Sequence, residues 1–167
     1  MNEYRYEQIS EWFREKAYRL RWFVRVYRTL PYLMVIGYGV AAAIVFFHGS
    51  RRMLAAVIIV PAVTLLLCTV FRKVVNAPRP YEQMKINPLI VKHKKGQSFP
   101  SRHMVSAGVL AVTAWYVNRP LGLTMFLVTL AMGILRPIAG VHYIKDVVAG
   151  TLIGIICGIV GFWLLMN

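Results

Sequence analysis

Acidic residues are scarce in this chain. Only 6 of the 167 residues are Asp or Glu, and Asp146 is the single Asp. Glu3, Glu7, Glu11 and Glu15 crowd the start, and Glu82 stands alone. A paired-carboxylate mechanism, or a metal cluster held by carboxylates, has almost nothing to work with. Cysteine is scarcer still. Cys68 and Cys157 both lie inside apolar runs, which reads as small core residues and not as a disulfide or a zinc site. Charge as a whole is low, at 16% of residues, against about 25% in a soluble domain. There are no internal repeats and no low-complexity segments. A secretory signal is not expected, because the first 28 residues are charged throughout.

What is present is apolar and basic. Hydrophobic residues make up 58% of the chain and the mean hydropathy is +0.56. Lys and Arg number 20, giving a formal net charge of +14. A basic balance points to nucleic acid or to an anionic membrane surface. The apolar excess decides for the membrane, so no nucleic-acid partner is expected. Five uncharged stretches follow the charged start: 29–50, 53–71, 103–118, 120–135 and 147–167. A helix needs about 20 apolar residues to cross ~30 Å of hydrocarbon. The first, second and fifth meet that. The third and fourth, with 16 residues each, span only if Arg102 and Arg136 at their ends sit in a polar cavity. The expected fold is therefore all-α, an integral-membrane helical bundle with about five transmembrane helices.

The first 28 residues differ in character. Tyr6, Ile9, Phe13, Ala17, Leu20, Val24 and Tyr27 recur at spacings of three and four, which is one face of a helix. Trp12, Trp22 and Phe23 flank this stripe, and seven Arg and Lys occupy the rest. The pattern predicts an amphipathic interfacial helix over 1–28, preceding a membrane-embedded domain over 29–167. The alternative is a helix packed on the bundle or against a second subunit, which would make the protein a homo-oligomer. Connections between spans are short except for a basic segment over 72–102, and a loop that long usually carries function.

Ionisable residues beside membrane spans are the informative ones. They cluster in three places: Arg72, Lys73, Arg79 and Pro80; Pro100, Ser101, Arg102 and His103; and Arg136, His142 and Asp146. Following the chain across the bilayer, all three clusters meet at one face. Arginine matches phosphate, because its planar fork donates several hydrogen bonds to the oxygens. Ser101 and the amides at the start of the third span add donors where a helix N-terminus favours an anion. His142 and Asp146 are four apart, so they share one helix face. A carboxylate holding one ring nitrogen leaves the other free as a nucleophile, and His103 remains to protonate a leaving oxygen. The arginines can neutralise developing charge, so neither a metal nor another cofactor is required.

These clusters resemble the three signature motifs of the type 2 phosphatidic acid phosphatase superfamily, K-x6-R-P, P-S-G-H and S-R-x5-H-x3-D. The counterparts are Arg72-x6-Arg79-Pro80, Pro100-Ser101-Arg102-His103 and Leu135-Arg136-x5-His142-x3-Asp146. Arg72 stands for the Lys, with Lys73 adjacent. Arg102 stands for the Gly, and Leu135 for the Ser. The resemblance implies a phosphohistidine at His142, oriented by Asp146, with His103 as acid and then base. Arg72, Arg79, Ser101, Arg102 and Arg136 would hold the phosphate. The implied substrate is a lipid phosphate: a phospholipid phosphomonoester such as phosphatidic acid or phosphatidylglycerophosphate, or alternatively a polyprenyl (undecaprenyl) diphosphate. A non-catalytic lipid-binding membrane protein is the competing class. Seventeen of the 20 basic residues fall on the motif face. The positive-inside rule then predicts a multi-pass protein of the cell membrane with its site at the cytoplasmic leaflet.

Overall fold

The computed structural model describes residues 3–92 and 95–167. Met1 and Asn2 of the expected N-terminal helix, and His93 and Lys94 of the basic segment, lie outside the described residues. Among the described residues all regular structure is helical: α1 (Glu3–Arg14), α2 (Ala17–His48), α3 (Arg51–Val75), α4 (Pro80–Gln83), α5 (Arg102–Val117), α6 (Arg119–Ile138) and α7 (Ile144–Met166).

Four helices, α2, α3, α6 and α7, are long and apolar enough to cross a membrane. The fifth expected span, α5, has 16 residues, which is about 24 Å of helix. It is the central helix, packed on by α2, α3, α6 and α7, and it is buried almost continuously from Met104 to Ala114. The four outer helices follow one another around it in the order α2, α6, α7, α3. The fold is an integral-membrane helical bundle.

Helix limits differ from the charge boundaries in three places. The expected helix over 1–28 is divided, because Lys16 is extended (φ −126°, ψ 117°) between α1 and α2. Beyond it α2 runs through residue 28 without a break, since Phe23 and Tyr27 continue in phase into the core face at Met34, Gly37, Ala41 and Val45. Helix α6 has 20 residues where the uncharged run has 16, because Arg119 and Arg136 lie within the helix. The connection after α3 is 76–101 and not 72–102: α3 continues to Val75, Asn76 caps it in the left-handed region (φ 42°), and α5 already includes Arg102.

The apolar stripe of the N-terminal region faces protein. Tyr6 is fully buried, and Phe23 and Tyr27 form a second core with Leu89, Ala139 and Val141. Trp12, Tyr18 and Trp22 are exposed on the other side.

One close approach sets the height of the active end. Gly150, Gly154 and Gly158 form a stripe on α7 that lies against α5, and a Cβ at Gly154 would come 2.3 Å from the Val105 carbonyl oxygen. The resulting contact lets the Ser101 amide donate to the Asp146 carbonyl at 2.9 Å, joining the start of α5 to the start of α7.

Candidate active site

The described part of the 76–101 connection is built around two buried arginines. Arg72, on the last turn of α3, donates through its guanidinium to the carbonyls of Gln97, Ser98 and Pro100. Arg79 precedes α4 and donates from Nε to Gly96 O at 3.0 Å and from Nη1 to Val141 O at 3.5 Å. Glu82 draws the two halves together, accepting the Arg79 amide at 2.7 Å and the Gly96 amide at 2.8 Å. Those bonds hold its carboxyl below the ordinary range. The Ile90 amide reaches the Ala139 carbonyl, so the connection rests on the α6–α7 turn.

That turn, residues 139–143, carries His142. Gly140 takes a positive φ of 76°, and a Cβ there would sit 2.6 Å from the Tyr6 hydroxyl, so both backbone and space demand glycine. His142 is 4% exposed. Burial pushes its imidazole down to about 4, opposed by the neighbouring Asp146 and assisted by the positive charges of Arg79 and Arg136. The ring is therefore neutral at pH 7. Asp146, 1% exposed, lies on the first turn of α7. Its Oδ2 accepts from the Tyr143 amide at 3.1 Å and from the Ser98 hydroxyl at 2.5 Å. His142 Nδ1 is 3.7 Å from the same oxygen, beyond hydrogen-bond reach, and 3.4 Å from Ser98 Oγ.

Arg136 is buried at the end of α6, donating to the Tyr27 hydroxyl at 3.3 Å with its guanidinium carbon 5.2 Å from the Tyr27 ring centre. Its Nε has no hydrogen-bond partner, and neither does the buried Ser101 hydroxyl or Asp146 Oδ1. Of these three, the Arg136 Nε–H and the Ser101 hydroxyl are donors suited to an anion, whereas Asp146 Oδ1 is an acceptor. His103, at the start of α5, is exposed and lies within electrostatic range of Arg136, His142, Lys92 and Arg102.

The structure thus gathers Arg72, Arg79, Ser101, His103, Arg136, His142 and Asp146. Arg102 is exposed at the rim. Lys73 is exposed, one residue and so about 100° around α3 from the buried Arg72, and it stands outside the cluster. Sequence reasoning missed Ser98, Tyr27 and Lys92. Ser98 lies two residues before Pro100, and proximity in sequence was its only signal. Tyr27 reads as one more member of the apolar stripe.

The PAP2 superfamily model matches residues 51–167, a region that contains all three motifs. The chain belongs to the PAP2 superfamily. The chain is similar to the bacitracin transport permease protein BcrC of Bacillus licheniformis, 31% identical over 74 residues, 44% of this chain and 36% of that protein. It is also similar to the undecaprenyl-diphosphatase BcrC of Bacillus subtilis (strain 168), 32% identical over 85 residues, 51% of this chain and 44% of that protein. The match spans less than half the length of either relative. The fold is shared with LpxE of Aquifex aeolicus, at a TM-score of 0.68 and 24% identity over 97% of this chain and 94% of that one. It is shared equally with a transmembrane PAP2 type phosphatidylglycerolphosphate phosphatase from Bacillus subtilis, at 0.69 and 20% over 95% and 83%.

Proposed function

We propose that this PAP2-superfamily chain is a membrane phosphatase that hydrolyses a lipid phosphate through a phosphohistidine at His142. The observation that carries this reading is a buried imidazole beside a buried carboxylate, within electrostatic range of Arg79 and Arg136. In the first step His142 Nε2 attacks phosphorus, a P–N bond forms, and the P–O bond to the lipid breaks. His103 gives its proton to the departing oxygen. In the second step His103 takes a proton from water, whose oxygen attacks phosphorus and breaks the P–N bond, releasing inorganic phosphate and neutral His142. Arg79, Arg136 and the Ser101 hydroxyl stabilise the equatorial oxygens, and Arg72 holds the 97–100 backbone in shape around them. The two steps need no metal, so activity should survive EDTA.

A lipid is favoured because the site lies at the end of an apolar bundle. A groove of about 570 Å³ between α6 and α7, lined by Met104, Gly133, Pro137, Ile144 and Val147, runs beside it. The buried donors suffice for one phosphate, which favours a phosphomonoester such as phosphatidic acid or phosphatidylglycerophosphate. The second reading is a polyprenyl diphosphate, favoured by the undecaprenyl-diphosphatase relative and by Arg102 at the rim, where a second phosphate would lie. The domain over 29–167 does the chemistry, while α1 and the exposed Trp12 and Trp22 lie at headgroup level. The basic excess on that face supports a cytoplasmic-leaflet site. The deciding experiment is phosphate release from a panel of lipid monophosphates and undecaprenyl diphosphate in detergent, wild type against His142→Ala. Release from at least one lipid by wild type and none by the variant is expected. Equal release by both would overturn the reading.

A further inference from the structure

We propose that Ser98 is a positioning residue for the nucleophile, its hydroxyl bridging the Asp146 carboxylate and the His142 ring. This deepens the reading above and rests on it. The distances carry the assignment. Asp146 Oδ2 lies 2.5 Å from Ser98 Oγ but 3.7 Å from His142 Nδ1, while Ser98 Oγ lies 3.4 Å from that nitrogen. A carboxylate oxygen can only accept, so the proton in the short contact is the serine's. The serine oxygen then has lone pairs left to accept from His142, which fixes the imidazole proton on Nδ1 and the free lone pair on Nε2. Asp146 is itself held at the same oxygen. Its Oδ2 also accepts the Tyr143 amide at 3.1 Å, the bond that caps the first turn of α7.

Ser98 is itself held on both sides. Its amide donates to Ala77 O at 2.8 Å and its carbonyl accepts from Arg72 at 3.3 Å. It is completely buried. One side chain therefore ties the buried Arg72 of the first motif to the His142–Asp146 pair of the third.

The test compares Ser98→Ala, Ser98→Thr and His142→Ala on the lipid phosphate that wild type hydrolyses. Ser98→Ala should lower kcat by about 10–100-fold, the usual loss when an orienting partner of a histidine is removed, with KM near wild type. Ser98→Thr keeps the hydroxyl and should recover most of that loss. In ¹⁵N-histidine spectra the resting His142 should be the Nδ1–H tautomer, and a mixture in Ser98→Ala. A kcat within twofold of wild type for Ser98→Ala, with His142→Ala inactive, overturns the proposal and leaves the phosphatase reading intact. So does a loss that Ser98→Thr does not relieve, or one that tracks a lowered Tm. An active His142→Ala removes the phosphatase reading itself.

Discussion

A histidine that attacks phosphorus must be unprotonated, and at His142 burial achieves this. The displacement to about 4 lies below the ordinary value of 6.5, so the folded protein favours the neutral ring. The sign for stability follows. The contribution is fully present above pH 6.5 and is lost as pH falls from there through about 4, because the unfolded chain takes up the proton more readily. An NMR titration of the ligand-free protein should find the His142 resonance unmoved at pH 6 and titrating near 4. A midpoint at 6.5 would contradict the buried, arginine-flanked setting. Arg136 gives a second prediction. Its guanidinium is stacked on Tyr27 and holds a free Nε–H, so Arg136→Lys cannot reproduce the fork. Turnover should fall by about tenfold or more in that variant although its charge is kept, measured as phosphate release. At this scale the sequence was most informative where a short separation brings residues together, as for His142 and Asp146, although His142 stands on the turn before α7 and not on the same helix. It was silent on Ser98 and Tyr27, which reach their partners across 48 and 109 residues of chain through tertiary packing.

Among the elements, α7 depends on its glycine stripe. A β-carbon at Gly154 has nowhere to go, with the Val105 backbone oxygen at 2.3 Å. Gly154→Val should force α7 off α5, costing about 1–3 kcal/mol by the usual toll of overpacking. It should also pull Asp146 away from Ser101. The expected outcome is a lowered Tm in detergent together with reduced turnover, whereas a silent substitution would mean that the approach is not needed. Helix α1 has its own anchor in Tyr6, whose hydroxyl accepts the Leu89 amide at 3.0 Å and lies over Gly140. Helices α3 and α6 start at Ser50 and Asn118, whose side chains accept the Met53 and Leu121 amides. The α1–α2 division was not legible, because the apolar stripe keeps its phase on both sides of Lys16. The limits of α6 were hidden by Arg119 and Arg136, charged residues that end an uncharged run without ending the helix.

The whole molecule is electrically lopsided. Counting passages along the sequence assigns 17 of the 20 basic residues to the motif face and Arg51, Arg52 and Arg119 to the other. A cytoplasmic site predicts that a cysteine introduced at the exposed Lys95, in a chain lacking Cys68 and Cys157, stays unlabelled by an impermeant maleimide in intact cells and reacts after lysis. Labelling of intact cells would place the site outside. The bundle architecture was readable from the uncharged runs, and the meeting of three distant motifs from counting passages across the bilayer. The central position of α5 was not, since a short span and a buried core helix have the same composition. The proposed phosphohistidine at His142 can be trapped directly. Wild-type protein mixed with a ³²P-labelled lipid phosphate and quenched in alkali should carry label on His142 that is lost in acid and absent from His142→Ala. Turnover with no trapped label on histidine, or with label that persists in His142→Ala, would contradict it.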